Sequence, residues 1–338
     1  MSNIQATLTF GELLFRISPE LEQQNAGFFV GGAELNVASA LGLWGQAVSY
    51  CTVLPDNILT RQVLAKLKEI GINTDAIILS GDRIGAYYLT QGADVKNQGV
   101  IYDRAHSAFS QLKPGMIDWE NVLQNVDWFH WSAITPALSQ NHADVCMEAL
   151  AYAKSKGITT SVDLNYRSKL WNYGVEPIDV IPGLVRHCDV VMGNMWAVEK
   201  MLGISVDSTV SCENQNEDAV YLKAGEDSAI KLKQQFPNCK AVAYTYRFSM
   251  HENTLRYFSS LHADQYYSSS VYTSNKIVDR VGTGDAFMAG LIVGLKNKTL
   301  YSDTLKLATA SAFSKFFVLG DCNTTPLKNI QQLVYENS

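Results

Sequence analysis

Strand-like and helix-like segments alternate along much of this chain, and that alternation limits the folds it can adopt. After a strand-like run at 6–10, a glycine pair at Gly31 opens a segment whose apolar residues follow a helical spacing. The pattern then predicts strands at 47–53, 126–131, 159–164 and 190–193, and helices at 59–70, 142–156 and 178–186. Such alternation is typical of right-handed crossovers between parallel strands. We therefore expect an α/β fold, a mostly parallel central sheet with helices on both faces.

Two stretches interrupt this alternation. The region 83–110 contains two short β-type runs that predict a hairpin, and together with 12–30 it predicts a small antiparallel sheet. We expect this sheet to be a lid, so that residues 1–338 form one domain rather than two. The polar stretch 207–227 predicts a surface excursion leading into a helix. From there the pattern predicts a helix at 228–236, strands at 241–245, 255–259 and 265–271, and helices at 285–295 and 301–318.

The charge balance and the cysteines narrow the classes of partner. The 338 residues carry 27 Lys and Arg against 33 Asp and Glu, a net charge of −6, so no basic field favours a nucleic acid or an anionic membrane. A small anionic substrate needs only one or two local cations. The six cysteines form no CxxC pair, and the sequence shows neither a signal peptide nor an apolar run of about 18 residues. These features predict a cytoplasmic protein with free thiols.

The segment DRVGTGDAFMAGLIVGL, at 279–295, carries the clearest chemical signal. Gly282 and Gly284 allow the backbone to approach a ligand closely, and a helix predicted to begin at Asp285 directs unpaired N–H groups at that turn. These features predict an anion site. A carboxylate beside a bound phosphate indicates a general base that accepts the proton of an attacking hydroxyl. The alternative from the local residues alone is that Asp285 is only a helix cap.

Two other phosphate-binding patterns are absent from the sequence. It contains no GxxxxGK[ST] loop. The pair Gly31-Gly32 does not belong to a GxGxxG turn that follows a strand and precedes an acidic residue by about 20 positions. The sequence therefore disfavours a P-loop nucleotidase and a dinucleotide-dependent dehydrogenase.

Several segments resemble one family. FVGGAELNVASALGLWG at 29–45 and DRVGTGDAFMAGLIVGL at 279–295 resemble, in order and separation, the two signatures of the ribokinase-like (PfkB) carbohydrate kinases. VIYDRAHSAFS at 100–110 and DLNYRSKLW at 163–171, with Gly11-Glu12, look like the 2-keto-3-deoxygluconate kinases within that family. The resemblance implies a ribokinase-like three-layer α/β sandwich with a small β lid. It also implies ATP with Mg²⁺ in a shallow groove and a sugar between lid and core.

The resemblance further implies roles for particular residues. Asp285 would be the catalytic base, and the N–H groups at Gly282, Thr283 and Gly284 would neutralise the transferring phosphoryl group and contact ATP. The sugar would be bound by Gly32, Asn36, Tyr88, Tyr102, Arg104, Asn165, Tyr166, Arg167 and Asp321. ATP would also contact Asn194, Thr245 and Arg247. Asp279 and the segment near Gly320 would build a monovalent cation site, for example for K⁺.

The residues themselves give one argument about the substrate. Tyr102 and Arg104 lie two apart on a predicted strand and so share a face. The carboxylate of an acid sugar needs a forked cation that a neutral sugar does not, so Arg104 and Arg167 together favour an acidic substrate. Taken singly, each arginine is also compatible with a surface ion pair, and each tyrosine with ordinary strand packing.

Two positions depart from the family pattern. After a strand predicted to end at Thr245, the family has a glycine-containing turn that lines the nucleotide, whereas this chain reads TYRFSMHENT. The family's Asn-xx-Glu motif appears as NMWA, starting at Asn194, and so lacks the Glu that helps to organise Mg²⁺. The departures weaken the expected nucleotide contacts and the expected metal assignment more than the expected fold.

Three functions remain open at this point. The first is an ATP-dependent kinase that phosphorylates 2-keto-3-deoxygluconate to its 6-phosphate. The second is a kinase for another sugar, such as fructose or a different keto acid. The third is a sugar- or nucleotide-binding regulatory protein of the same fold that has lost efficient phosphoryl transfer. The predicted partners are small molecules, and a lid with an exposed sheet face is compatible with a homodimer or a higher homo-oligomer.

Overall fold

A computed structural model describes residues 5–90, 99–207, 210, 217–249 and 254–337. The strands of these residues, β1 to β15 in chain order, are Ala6–Phe10, Leu14–Glu20, Asn25–Gly31, Val48–Leu54, Ile72–Asn73, Ile77–Leu79, Gly85–Tyr88, Ile101–Asp103, Val126–Ser132, Thr159–Asp163, Val190–Gly193, Ala241–Ser249, Leu255–His262, Tyr266–Ser268 and Tyr272–Ser274. The helices, α1 to α10, are Ala33–Leu43, Ile58–Glu69, Trp119–Val122, Gln140–Ser155, Pro177–Val185, Met195–Leu202, Asp218–Gln235, Thr283–Lys296, Tyr301–Lys315 and Leu327–Glu336.

The main sheet of the described residues contains eleven strands. Nine follow the order β14-β13-β12-β11-β10-β9-β1-β4-β5, while β15 pairs with β13 and β6 with β4. The strands from β12 through to β4 pair in parallel. At one edge β13, β14 and β15 pair antiparallel. The predicted α/β architecture with a mostly parallel sheet is confirmed.

Helices cover both faces of this sheet, because neighbouring residues of one strand point to opposite sides. Tyr50 on β4 packs in a hydrophobic cluster with Leu41 of α1 and Leu291 of α8. Cys51, the next residue, packs in the other cluster with Leu150 of α4 and with side chains of α5, α6 and α7. The two clusters are the interfaces of a three-layer sandwich, as expected. None of the helices in the described residues combines the length and apolarity that crossing a membrane requires.

The other four strands form a small separate sheet, called the lid below, with the order β3-β2-β7-β8. The predicted small sheet is thus confirmed. It is not wholly antiparallel as expected, because its two antiparallel pairs, β2 with β3 and β7 with β8, join through a parallel β2–β7 edge in which Leu14 pairs with Gly85. The turn predicted between the two runs of 83–110 falls mostly on residues 91–98, outside the described residues. That the whole chain forms one domain stays a prediction.

Helix α7 and strand β12 extend furthest beyond their predicted ends. Helix α7 begins at Asp218 rather than near 228, since Tyr221, Ala224, Ser228 and Leu232 place one buried face at helical spacing within a polar stretch. Strand β12 continues past Thr245 to Ser249, since Arg247 pairs with Tyr257 of β13. The segment expected to be a nucleotide-lining turn is therefore partly strand. Its last residues, 250–253, lie outside the described residues.

Candidate active site

A cavity of about 640 Å³ lies between the lid and the main sheet. Leu14, Tyr87 and Tyr102 line it from the lid. Asp163 and Gly193, the last residues of β10 and β11, line it from the core. Ligands of parallel α/β sheets bind at the carboxyl ends of the strands, because the loops that carry functional groups converge there. This cavity is the candidate active site.

The anion turn, defined as Gly282 to Asp285, lines this cavity at the start of α8. The helix begins at Thr283, slightly earlier than the predicted start at Asp285. Gly282 has a φ of 77°, and a Cβ at this position would lie 1.8 Å from the carbonyl oxygen of Asp321. Only glycine meets both constraints. The first-turn N–H groups of α8 have no intrahelical partner, so this end of the helix attracts negative charge.

Asp285 combines burial with one short hydrogen bond. Its residue is 8% exposed, and its Oδ2 accepts a hydrogen bond from Asn36 Nδ2 at 2.7 Å. Burial raises the pKa of this carboxyl well above its usual value, and the charges of Asp163 and Glu34 act in the same direction. The hydrogen bond from Asn36 and the charge of Arg167 oppose that increase. A carboxylate with a raised pKa is a stronger proton acceptor, which suits a general base.

The sugar-binding residues predicted from the core converge on this cavity. Gly32 has a φ of 135°, and a Cβ there would lie 2.3 Å from the Glu12 carbonyl oxygen. Asn36 lines the cavity while it holds Asp285. Asn165, Tyr166 and Arg167 follow β10 and also line it, with the Asn165 N–H donating to Asp163 Oδ1 at 3.0 Å. The structure therefore brings these five predicted residues together.

Arg104 lines the cavity from the lid but is already paired. Its Nε and Nη2 lie 2.7 and 2.6 Å from Glu12 Oε2, and both side chains are buried. Ser107 Oγ donates to the other oxygen of Glu12 at 2.6 Å. The Tyr102 ring lies 5.9 Å from the Arg104 guanidinium carbon. Because Glu12 neutralises Arg104, the net charge that this arginine offers a ligand is smaller than the sequence suggests.

The structure differs from the sequence prediction at Tyr88. Tyr88 does not belong to the cavity lining, whereas its neighbour Tyr87 does. Successive side chains of β7 point to opposite faces of the lid, so only one of the two tyrosines can face the cavity. Tyr87 donates a hydrogen bond to Asp321 Oδ2 at 2.5 Å. Asp321, which the sequence also predicted as a sugar contact, does line the cavity.

The predicted nucleotide contacts come from the residue after strand β11 and from strand β12 of the main sheet rather than from the lid. Asn194, Thr245 and Arg247 all line the cavity. Asn194 uses its side-chain oxygen to cap α6, where it accepts from the Ala197 N–H at 2.9 Å. Arg280 also lines the cavity and donates to Ser249 Oγ at 2.9 Å. The glycine turn of the family pattern is replaced here by strand residues and cations.

The cavity lining also contains residues that the sequence did not indicate as site residues, among them Glu12, Glu34, Tyr87, Asp163 and Arg280. Glu34 on α1 accepts hydrogen bonds from the Ser132 N–H and hydroxyl at the end of β9. Burial raises the pKa of Glu34 from 4.5 to about 7. Glu12, Glu34, Asp163 and Arg280 stand within the segments that resemble the family, so their positions could have indicated them. Tyr87 could not be told from Tyr88 along the chain, because the choice depends on which face of β7 meets the cavity.

Asp279 is engaged by the chain itself. Its Oδ2 lies 2.6 Å from Arg16 Nη2 and accepts the Gly320 N–H at 3.0 Å. Its Oδ1 accepts the Val281 N–H at 3.0 Å and lies 3.3 Å from Arg16 Nη1. In the part of the chain that the structure describes, no three His, Cys, Asp or Glu side chains group as metal ligands.

Comparison with known proteins agrees with this geometry. A family model described as pfkB family carbohydrate kinase matches residues 7–244 and 256–326. The 2-dehydro-3-deoxygalactonokinase of Haloferax volcanii is 29% identical over 93% of this chain and 92% of its own length. The probable fructokinase-5 of Arabidopsis thaliana is 23% identical over 93% of this chain and 90% of its own length.

Solved structures show the same relationship. The crystal structure of 2-dehydro-3-deoxygluconokinase from Thermotoga maritima has a TM-score of 0.87 and is 33% identical, covering 98% of this chain and 99% of that chain. The first matched segment, 7–244, contains the signature at 29–45, and the second, 256–326, contains the signature at 279–295. The resemblance inferred from the sequence is confirmed. The chain therefore belongs to the pfkB family of carbohydrate kinases and is a phosphotransferase that acts on a sugar hydroxyl.

Proposed function

We propose that this kinase transfers the γ-phosphoryl group of ATP to the 6-hydroxyl of 2-keto-3-deoxygluconate. The observation that carries the proposal is a buried base at a helix N-terminus in the same cavity as two arginines: Asp285, Arg104 and Arg167. The base and the anion turn support phosphoryl transfer, and the guanidinium groups support an acidic sugar. The relatives from Haloferax volcanii and Thermotoga maritima carry names of keto-deoxy sugar-acid kinases, which supports the same substrate class.

In the proposed reaction, the 6-hydroxyl oxygen of the sugar attacks the γ-phosphorus of ATP. A new O–P bond forms, and the bond from the γ-phosphorus to the oxygen shared with the β-phosphate breaks to release ADP. The hydroxyl proton passes to the Asp285 carboxylate, which Asn36 holds in place. The N–H groups of Gly282, Thr283 and Gly284 stabilise the negative charge on the transferring group.

The sugar is held between lid and core in this proposal. Gly32 leaves room for the sugar, and Asn36 and Asn165 can donate and accept hydrogen bonds. Arg167 and the paired Arg104 face the carboxylate of the sugar. Tyr87 takes the role that the sequence assigned to Tyr88, beside Tyr102, Tyr166 and Asp321.

ATP lies along the other side of the cavity, where Asn194, Thr245 and Arg247 contact it and Arg280 adds a cation beside the anion turn. Mg²⁺ bound to the phosphates would neutralise part of their charge. Asp163 would fit an ion of this kind, because its Oδ2 lies close to Gly284 of the anion turn, next to the expected phosphates. A Cβ added to Gly284 would lie 3.8 Å from that oxygen. One carboxylate and substrate phosphates are a common ligand set for Mg²⁺.

A coupled ADP-release assay over a panel of sugars tests the proposal. The panel contains 2-keto-3-deoxygluconate, its galactonate epimer, gluconate and fructose, each with MgATP. We expect the highest kcat/KM for a keto-deoxy sugar acid. A higher kcat/KM for fructose would favour the second function, which the similarity to a probable fructokinase supports.

The same experiment separates the regulatory alternative, which the missing Glu of the NMWA segment supports. Each sugar is also titrated by calorimetry. Tight binding of a sugar acid without ADP release would overturn phosphoryl transfer and identify the protein as a sugar-binding regulator. Release of ADP that depends on the sugar would exclude that alternative.

A further inference from the structure

Four charged side chains form a buried cluster beside the anion turn, close enough for their charges to act on one another: Arg16, Asp279, Lys315 and Asp321. Arg16, on β2 of the lid, bridges the two carboxylates, with Nη2 at 2.6 Å from Asp279 Oδ2 and Nε at 3.0 Å from Asp321 Oδ1. Lys315, at the end of α9, is 0% exposed and donates to the Val318 carbonyl oxygen at 2.8 Å. This is where the family resemblance places a monovalent cation.

The cluster does not fit such a cation. A carboxylate offers about four lone-pair positions to donors. Two nitrogens of Arg16 and the N–H groups of Val281 and Gly320 approach the two oxygens of Asp279, so these positions are taken. The Val318 carbonyl, near Gly320, accepts from Lys315. An ion would have to displace these donors.

The charge balance points the same way. The cluster contains two cations and two carboxylates, and its side chains are almost fully buried: 4% exposed for Arg16, 10% for Asp279 and 1% for Asp321. A K⁺ ion added here would be a third positive charge with no carboxylate left to compensate it. Burying an uncompensated charge is strongly unfavourable.

The cluster also supports the catalytic backbone. The Asp279 carboxylate holds the N–H of Val281, the residue before the anion turn, and the N–H of Gly320. The carbonyl oxygen of Asp321 packs so closely on Gly282 that a Cβ could not be inserted. Whatever neutralises these two carboxylates therefore keeps the anion turn in place.

We propose that Arg16 and Lys315 take the place of the monovalent cation, so that this kinase needs no K⁺ for phosphoryl transfer. Both are positioning residues: Arg16 pairs directly with Asp279 and Asp321, whereas Lys315 acts on the two carboxylates through its buried charge. The inference rests on the proposed ATP-dependent reaction. The design below includes thermal unfolding, which reports on the cluster even if no substrate is turned over.

The test compares the wild-type protein with Lys315→Met and the control Lys306→Met, a half-buried lysine on the same helix whose side chain is 44% exposed. Each is assayed in tetramethylammonium chloride and in KCl or NH₄Cl, up to about 150 mM at constant ionic strength. Initial rates of ADP release and the unfolding temperature are measured in each salt. Tetramethylammonium is too large to enter the cluster, so it serves as the cation-free reference.

When K⁺ replaces tetramethylammonium, we expect the wild-type rate to change by less than about twofold. We expect its unfolding temperature to change by less than about 2 °C. Lys315→Met should lose about tenfold or more in kcat and recover several-fold with K⁺ or NH₄⁺, with a matching rise in unfolding temperature. Lys306→Met should behave as wild type. Specific rescue by a small cation distinguishes a positioning role from general loss of structure.

Two results would overturn the proposal. One is saturable activation or stabilisation of the wild-type protein by K⁺ beyond the limits above. The other is a Lys315→Met protein that keeps full activity, or loses it without rescue by any small cation. If Lys315→Met does not fold, Arg16→Gln undergoes the same assay with the same criteria. Absence of turnover in every salt would count against the proposed function, while the salt dependence of the wild-type unfolding temperature would still decide the inference.

Discussion

Asp285 shows how two residues from opposite ends of the chain create one reactive group. A carboxylate in the first turn of a helix is usually a simple cap, and its local sequence does not distinguish the two roles. Here Asn36, which lies in the first signature, donates to Asp285 across the core, and burial raises the pKa of the carboxyl. The bond and the burial together favour the general-base role.

Replacing Asp285 tests that role. We expect Asp285→Asn to lower kcat by about 10² or more, because the amide cannot accept the hydroxyl proton. The rate of ADP release measures the effect, and the unfolding temperature shows whether the fold is intact. Asp303→Asn, an exposed carboxylate on α9, is the control. A rate for Asp285→Asn within tenfold of wild type, about 1.4 kcal/mol, would contradict the assignment.

Carboxylate recognition is better tested at Arg167 than at Arg104. Removing Arg104 would leave Glu12 buried without its partner, so stability and binding would change together. We expect Arg167→Met to lower kcat/KM for the acid sugar by an amount that corresponds to about 1.5–3 kcal/mol of lost transition-state stabilisation, the contribution of a charged hydrogen bond. The kcat/KM for a neutral ketose should change much less. The two substrates are compared in the same ADP-release assay. Arg186→Met, at an exposed position, is the control.

Equal losses for both sugars at Arg167→Met would remove the carboxylate argument. In that case the arginine would act on the phosphoryl group or on Asp285 instead, whose pKa its charge lowers. A pH profile separates these cases, because loss of that charge would move the acid limb of the kcat profile to higher pH.

At the scale of elements, the anion turn depends on a close contact between α8 and the segment after α9. Gly282 is left-handed and packs against the Asp321 carbonyl. The lid depends on alternation along β7, which turns Tyr87 toward the cavity and Tyr88 away from it. A motif quoted as a string does not reveal either relation, because both involve a second element.

Substitutions at two glycines distinguish the effect of backbone strain from the effect of the close contact between Gly282 and the Asp321 carbonyl. Gly282→Ala and Gly157→Ala both place a side chain at positive φ, 77° and 68°, but only the first Cβ meets another atom within 4 Å. We expect both to lose about 1 kcal/mol of unfolding free energy from strain, and Gly282→Ala to lose more and to fall about tenfold or more in kcat. Urea unfolding and ADP release measure the two effects. Similar stability and rates for the two variants would contradict a special role for the contact.

At the scale of the whole molecule, Glu34 links two layers of the sandwich. It joins α1 to the end of β9 through Ser132, and it lies close enough to Asp285 to raise the pKa of that carboxyl. Burial raises its own pKa from 4.5 to about 7. The folded protein therefore retains a proton between these pH values that the unfolded chain has released.

This proton makes stability depend on pH. Because the pKa of Glu34 is higher in the folded protein than in the unfolded chain, this residue lowers the free energy of unfolding as the pH rises from 4.5 toward 7. The total loss is about 3 kcal/mol, and below pH 4.5 the loss disappears. We expect Glu34→Gln to gain stability relative to wild type as the pH increases from about 5 to 8. Urea unfolding at several pH values measures this. Exposed Glu69→Gln is the control, and curves parallel to wild type for Glu34→Gln would contradict the raised pKa.

Much of the fold could be predicted from local patterns. The alternation of strands and helices indicated the mostly parallel sheet, and two β-type stretches indicated the lid. Helix α7 was placed too late because polar residues obscured its buried face, and β12 was ended too early because its pairing with β13 is not visible along the chain. The two separated signatures predicted most of the candidate site. They did not predict Tyr87, whose orientation depends on the packing of β7 against the core.

The sequence by itself determined the class of fold, the family and the position of the anion turn, because these depend on periodicity and on short strings that act locally. Only the tertiary structure decided which tyrosine faces the cavity, that Glu12 neutralises Arg104, and that Arg16 bridges Asp279 and Asp321 near the buried charge of Lys315. The physical reason is that charge pairing and burial are properties of neighbours in space. Most of these neighbours are far apart in the chain, and no local pattern records them.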